Sequence, residues 1–374
     1  MNFPTVGVIG AGQLARMMVP PAIDLGINLS LFAASSEDSG AQIAGHIVGD
    51  YKDAQALLEW AKSCDVVTFE HEQVPREVIT ALESAGVSVY PSSHAFEFSQ
   101  DKLAMRSKIS ELGLPNPVWE IYEGATPALA FPLIAKTSTG GYDGRGVFVI
   151  SDESELKELH VRIGAPLLLE EKLNFDYELA IMVARSPHGQ AATWAPTLTV
   201  QRDGICIQTI TPIPEISDAL ATDAISTALA IAQGIDLVAV MAVELFVVDG
   251  KLIINELALR PHNSGHWSIE GSRTSQFEQH LRAVLNLPLG DTSLTAPFAV
   301  MGNVIGIETD KDGDLYRPYR HLMARTPGLK IHQYKKELRP GRKVGHVTAL
   351  GSELLELRTE VDHAVAYLSG AIDE

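Results

Sequence analysis

Two rhythms of apolar and polar residues succeed one another along this chain. Over the first hundred residues, short β-branched runs alternate with stretches whose apolar positions recur three or four apart. Thr5–Ile9 reads as a strand, followed by a glycine-rich turn and an amphipathic helix from about Gly12 to Leu25. Further strands are expected near Asn28–Phe32, Val66–Phe69 and Val87–Tyr90, with helices near Ala54–Lys62 and Pro75–Ser84 between them. Strict strand–helix alternation marks a doubly wound parallel sheet.

A helix from about Gln100 runs into the breaker Gly113-Leu-Pro-Asn-Pro117. Strands at Leu133–Lys136 and Val147–Ile150 then flank a glycine loop, and Ser151-Asp-Glu-Ser opens a helix. From Leu167 onward the runs lengthen and the pattern turns antiparallel. Strands are expected at Glu178–Ala184, Ala191–Val200 and Ile205–Ile210, then a long helix (about Glu215–Gln233), a hairpin, a helix from about Glu270 to Leu285 and a closing helix at about Glu353–Leu368. The pattern divides the chain into an α/β unit over 1–100, a compact module over 101–170, and an α+β body over 171–374 whose small terminal subdomain starts near 297.

Composition narrows the functional classes. The 374 residues are 46% hydrophobic and carry a net charge of −18, which excludes a disordered chain and argues against nonspecific nucleic-acid binding. The densest apolar run, Leu237 to Val248, is interrupted by Glu244 and falls short of the roughly 18 residues that span a bilayer. No basic residue precedes the first apolar run, so no signal peptide is expected. Cys64 and Cys206 match neither a disulfide framework nor a zinc spacing, which suits a reducing, cytoplasmic setting. Against the acidic background, Arg317 to Lys343 holds nine cations with Glu337 as its sole acid. Such a local block reads either as a solvated face or as a site for a small phosphate-bearing ligand.

Several motifs carry chemistry. Gly10-Ala-Gly12-Gln-Leu-Ala15 follows a strand and opens a helix, as a dinucleotide fingerprint does, but the acid expected after the second strand is replaced by Ala33-Ala34-Ser35-Ser36. A tight turn packing helix on sheet is the favoured reading, with the helix N-terminus still open to another anionic group. The run Gly140-Gly141-Tyr142-Asp143-Gly144-Arg145-Gly146 lies between strands and lacks a P-loop ending, so it reads as a flap whose N–H groups close over phosphates, with Lys136 upstream. Leu168-Leu-Glu170-Glu171-Lys172-Leu173 is an apolar strand ending in acids.

Glu244 and Glu256 interrupt two apolar strands joined by Val248-Asp-Gly-Lys251, with Asn255 adjoining the second acid. Isolated carboxylates on apolar strands are paired or hold metal. A two-residue loop would set Glu244 opposite Asn255. A three-residue loop with Gly250 in a bulge, or an equivalent bulge, is needed to put both acids on one face. Arg260-Pro-His262-Asn-Ser-Gly-His266 follows directly and suits an anionic, hydroxylated ligand; a zinc site on its two histidines is disfavoured by the intervening Asn-Ser-Gly. Arg339-Pro-Gly-Arg342-Lys343 sets two cations beside a glycine turn.

Together GAGQLARMM, TFEHEQVP, QDKLAMR, GGYDGRG, NELALRPHNSGHW, SQFEQHLRAV and RPGRKVGH, in that order, resemble the ATP-grasp superfamily and, within it, the 5-(carboxyamino)imidazole ribonucleotide synthases. The resemblance implies a ligase that uses ATP and bicarbonate, by way of carboxyphosphate, to carboxylate the exocyclic amine of 5-aminoimidazole ribonucleotide in purine biosynthesis. It implies a homodimer and no nucleic-acid or membrane partner. By the same resemblance Lys102, Lys136 and the loop glycines 140, 141, 144 and 146 contact the ATP phosphates. Glu170, Glu171 and Leu173 form the adenine hinge, Glu178 holds the ribose, Asn255 adjoins the nucleotide, and Glu244 and Glu256 bind Mg2+. Glu70, Tyr142, Arg145, Arg260, His262 and Arg342 would hold the ribonucleotide, with Asp143 and Lys343 carrying the chemistry. Three positions depart from the family pattern: Leu198, Gln201 and Leu259. Other ATP-grasp ligases, an NAD(P)-linked oxidoreductase and a non-catalytic nucleotide sensor are the competing readings.

Overall fold

The structure, a computed structural model, describes residues 3–140, 146–307, 316 and 318–372. The first unit comprises β1 (Thr5–Ile9), α1 (Gln13–Asp24), β2 (Asn28–Ala33), β3 (His46–Val48), α2 (Ala54–Ala61), β4 (Val66–Phe69), α3 (Arg76–Ser84) and α4 (Ser93–Gln100). Its sheet has the order β3-β2-β1-β4, parallel throughout. The fourth expected strand, Val87–Tyr90, contributes a single parallel bridge from Val89 to Val67.

Next come α5 (Lys102–Glu111) and a four-stranded antiparallel sheet, β5-β8-β6-β7, made of β5 (Trp119–Tyr122), β6 (Leu133–Thr137), β7 (Val147–Ile150) and β8 (Leu167–Glu171). Helix α6 (Glu153–Ile163), capped by the Asp152 carboxylate, buries Leu156 and Leu159 against Leu133, Ala135, Leu167 and Leu169. The opposite face of this small sheet is left for function.

The remainder builds one antiparallel sheet in the order β14-β13-β9-β11-β12-β15-β17-β16, with β10 also paired to β9. Its elements are β9 (Tyr177–Arg185), β10 (Ala191–Thr193), β11 (Thr197–Arg202), β12 (Ile205–Thr211), α7 (Asp218–Gly234), β13 (Ala239–Val248), β14 (Lys251–Ala258), α8 (Ser268–Gly271), α9 (Gln276–Val284), β15 (Phe298–Ile305), α10 (Tyr319–Arg325), β16 (Lys330–Gln333), β17 (Lys343–Gly351) and α11 (Leu354–Ser369). The strand expected over 191–200 is two strands, split at Trp194-Ala195-Pro196, because proline cannot donate to the ladder. The helix expected over 270–285 is likewise broken, and Ser275 caps α9 with its hydroxyl.

Two joints hold the large sheet to the first unit. Phe96 stacks on Phe69 at 4.5 Å and joins Met105, Ile109, Ile181 and Leu257 in one core. Helix α9 packs Phe277 and Leu281 with Leu14 and Met18 of α1. Its buried His280 accepts from the Val240 N–H and meets the Thr68 hydroxyl at 2.8 Å, bridging β13 and β4.

Candidate active site

The carboxylate pair is placed by an irregularity in the β13–β14 hairpin. Asp249 and Gly250, at φ 49° and 71°, form a two-residue turn that pairs Val248 with Lys251 and, further on, Leu245 with Ile254. The ladder then slips by one residue, so that Glu244 pairs with Glu256 and Asn255 is the extra residue. Of the geometries left open by the sequence, the hairpin takes the two-residue turn with a separate bulge, which an edge strand such as β14 accommodates because only one ladder is disturbed. Glu256 receives the Lys102 ammonium at 2.8 Å, and Glu244 meets His262 Nε2 at 3.3 Å.

The small sheet faces this pair. Its register sets Lys136 beside Val147 and Leu168, and Ile134 beside Val149 and Glu170, all on the side away from α6. Lys136 bonds Glu170 at 2.8 Å and the Asn255 side-chain oxygen at 3.2 Å. Burial pushes the Glu170 carboxyl up, but Arg106 and Lys136 outweigh it and hold the group below the ordinary range. Across the cleft Phe246 stacks on Phe175 at 4.6 Å, next to Glu178 on the neighbouring strand. Burial raises the Glu178 carboxyl, with Gln201, one of the departures from the family pattern, hydrogen-bonded to it. Glu171 behaves differently from Glu170. Its N–H and its carboxylate both engage Val118, on the face of β8 away from Lys136, so a hinge contact from it would be through backbone. Leu173 lies two residues beyond the end of β8, half-buried.

The fingerprint Gly10–Ala15 serves the chain itself. A Cβ on Gly12 would lie 2.4 Å from Glu70 Oε1, and that carboxylate accepts from the Leu14 and Gly12 N–H groups. Glu70 therefore occupies the helix N-terminus where a dinucleotide would place its pyrophosphate, which removes the oxidoreductase reading. Beside it opens a cleft of about 510 Å³, lined by Gln13, Ser39, Glu70, Lys336, Arg339 and Arg342 among others. Its basic wall is the turn Arg339-Pro-Gly-Arg342: Gly341 has φ 74°, Arg342 N donates to the Arg339 carbonyl at 3.1 Å, and a Cβ on Gly306 would strike that same carbonyl oxygen at 2.3 Å. Proline then glycine at the centre gives a type II turn, seated on a glycine that lets backbones touch. Lys336 donates to Gln13, and Ser39 donates to the Tyr334 carbonyl, tying the wall to the first unit. Sequence reading passed over Gln13 and Lys336. Their signal was the basic block facing a helix N-terminus.

A second bulge aims Lys343. Asn303 pairs with His346 and Val304 with Gly345, but Ile305 pairs with Lys343, leaving Val344 as the extra residue. Val344 joins the core under α11, and Lys343 keeps the face of Asn303 and His346. On that side Asn303 and Asn263 exchange two amide hydrogen bonds of 2.7 and 2.9 Å. His262 Nδ1 accepts from the Ser264 N–H, so its proton sits on Nε2 toward Glu244. Burial, Arg260 and Lys343 push this ring well below its ordinary pKa. His266 binds Gln276 and is buried, so the histidine pair makes no zinc site; among the described residues no three His, Cys, Asp or Glu are grouped to hold a metal.

Arg260 is oriented by Glu72, Nη2 to Oε2 at 2.9 Å, a partner that sequence reading missed although it lies in the same TFEHEQVP run as Glu70. Charged hydrogen bonds contribute about 1.5–3 kcal/mol. With Arg260 in the role that the resemblance implies, Glu72→Gln is expected to raise KM for the anionic acceptor about tenfold, with kcat and KM for ATP nearly unchanged in steady-state assays. Tyr142, Asp143 and Arg145, with Gly141 and Gly144, lie outside the described residues. The loop's flanks are described: Gly140 and Gly146 have φ of 79° and 77°, and the Thr137 N–H donates to the Gly146 carbonyl at 2.9 Å.

Known proteins resemble this chain along nearly its whole length. The profile of the ribonucleotide synthetase preATP-grasp domain matches residues 3–100, that of the ATP-grasp domain 110–277, and that of the phosphoribosylaminoimidazole carboxylase C-terminal domain 299–360. The N5-carboxyaminoimidazole ribonucleotide synthase of Mycobacterium bovis is 43% identical, over 98% of this chain and 88% of its own length. Two solved structures of the synthase from Aspergillus clavatus superpose closely. One, complexed with ATP, has TM-score 0.89 and 32% identity over 99% of both chains. The other, with ADP and 5-aminoimidazole ribonucleotide, has TM-score 0.87 and 30% identity over 99% of this chain and 100% of its own. The chain belongs to the N5-carboxyaminoimidazole ribonucleotide synthase family of ATP-grasp enzymes.

Proposed function

We propose that this chain uses ATP and bicarbonate to carboxylate the exocyclic amine of 5-aminoimidazole ribonucleotide, releasing ADP and phosphate. The observation that carries the reading is the pairing of Glu244 with Glu256 opposite Lys136 and Glu170, with Glu256 four residues before the Arg260–His262 segment that faces Lys343. Bicarbonate oxygen attacks the γ-phosphorus and the bond to ADP breaks; the amine nitrogen then attacks the carboxyl carbon, and phosphate and a proton leave. With two anions meeting at a triphosphate, positioning and charge neutralisation dominate.

Lys102 and Lys136 place the phosphates, Phe246, Val149 and Ile134 cover the base, and Glu178 takes the ribose hydroxyls. The donor set of two carboxylates and the Asn255 amide oxygen suits Mg2+, which takes few protein oxygens and keeps phosphate and water as its other ligands. When bound, the ion neutralises phosphate charge. The cleft between Gln13 and the Arg339–Arg342 turn holds the ribonucleotide phosphate, through Lys336 and Arg342. Neutral His262 donates from Nε2 and so steadies the carboxylate of Glu244. Asp143 orients or deprotonates the amine, and Lys343 stabilises the charge on the transferring carboxyl. The division into units at 1–100, 101–170 and 171–374 and a homodimeric state complete the proposal.

The test is ADP release from purified protein with Mg2+ and ATP, adding bicarbonate and 5-aminoimidazole ribonucleotide separately and together. Strong stimulation that needs both, with an acid-labile carboxylated product, is expected. A folded protein that binds ATP but ignores the ribonucleotide would overturn the acceptor assignment.

A further inference from the structure

We propose that Arg106 is a positioning residue for the metal site, holding the β14 bulge that aligns Glu244 with Glu256. The inference rests on the reading of those two glutamates as magnesium ligands. Arg106 lies on α5 four residues after Lys102, so both side chains leave the same face of the helix. Lys102 reaches the Glu256 carboxylate, whereas Arg106, with no exposed surface, reaches the backbone beneath it. Its Nη1 donates to the Ile254 carbonyl at 2.7 Å and its Nη2 to the Asn255 carbonyl at 2.8 Å. These are the residue before the register slip and the extra residue itself.

In a regular strand, successive carbonyls point to opposite edges, and one donor group cannot collect both. At the bulge they converge on one guanidinium, whose planar fork matches two acceptors side by side. Buried carbonyls without a donor would cost more than the bulge gains, so the fork is what makes the two-against-one arrangement stable. Two of the three remaining donors are used as well: Nε donates to Glu170 at 2.6 Å and Nη1 to the Asn116 side chain at 3.2 Å. One side chain therefore sets the hinge carboxylate and the bulge in a common frame. A ladder without the slip would turn Glu256 to the other face.

Arg106→Lys keeps a charge beside Glu170 and loses the fork. The protein is expected to fold and to keep KM for the ribonucleotide within twofold. The Mg2+ concentration for half-maximal ADP release should rise about tenfold, as for other residues that orient metal ligands. Mn2+ affinity of the ADP-loaded protein, read by electron paramagnetic resonance, should weaken by a similar factor. A loss confined to kcat or to melting temperature, with metal dependence unmoved, would overturn the proposal. Should Arg106→Lys fail to fold, Asn116→Ala, which removes one acceptor from the fork, should shift Mn2+ affinity the same way by a smaller factor; no shift there overturns the proposal equally. Glu244→Gln and Glu256→Gln run alongside. If they leave Mn2+ binding intact, the metal reading itself has failed, a result separable from any effect at Arg106.

Discussion

Lys343→Ala is expected to lower kcat by about 100- to 1,000-fold, the range seen when a preorganised donor to developing charge is removed. KM for ATP should move less than threefold. The split follows from where the side chain sits. Lys343 opens β17 on the face of Asn303 and His346, and its charge helps depress His262 and His266, so it lies on the acceptor side of the site. The groups assigned to ATP (Lys102, Lys136, Glu170 and Glu178) come from α5, the small sheet and β9, and none depends on β17. Lys343→Arg is not a neutral change, since a planar fork replaces a compact ammonium, and it should recover only part of the activity. Equal losses in kcat and in ATP affinity would place Lys343 among the nucleotide contacts instead. Asp143→Ala should follow the same split.

The second large effect is on stability. Burial lowers His280 to about 3 and His71 to about 4, and holds His266 and His346 well below the ordinary range. In the unfolded chain these rings take up protons near pH 6.5, whereas in the folded chain they stay neutral. Below about pH 6.5 the unfolded state thus binds more protons, and folding stability falls as pH falls. At full slope each ring contributes about 1.4 kcal/mol per pH unit. Above about pH 7.5 these rings add little slope. Urea unfolding at pH 7.5, 6.5, 5.5 and 4.5 should show a small fall in midpoint between the first two and a steep decline after. His280→Gln, which can still bond Thr68, should lessen the decline while lowering stability at pH 7.5. A midpoint unchanged down to pH 5 would mean that the rings take up protons in the fold as readily as in the unfolded chain.

Much of the site was legible residue by residue. The acids at 244 and 256 stood out because a carboxylate on an apolar strand needs a reason, and the Pro-Gly centre of the Arg339–Arg342 turn announced its geometry. Arg106 gave no such sign. An arginine on a polar ten-residue helix reads as solvent-facing, and only the strand packed against α5 turns it into a fully buried group. Glu70 was read only as a ribonucleotide contact. The structure adds that its carboxylate, on the wall of the cleft, caps α1, a role that requires β4 to end beside β1. Glu72 was hidden in the same way, since its partner Arg260 is nearly two hundred residues distant.

What the chain's own order determined was local: most of which runs are strands and which helices, and where the Ser151-Asp152 run opens a helix. These depend on periodicity, capping and backbone freedom, all contained within a few neighbouring residues. What only the tertiary structure decided was register. Extra residues at Ile207, Asn255 and Val344 accompany Gln201 beside Glu178, the Glu244–Glu256 pair and Lys343 respectively. A bulge is two residues facing one, so it belongs to a pair of strands and to the groups that satisfy the displaced carbonyls, and no single stretch of sequence contains both.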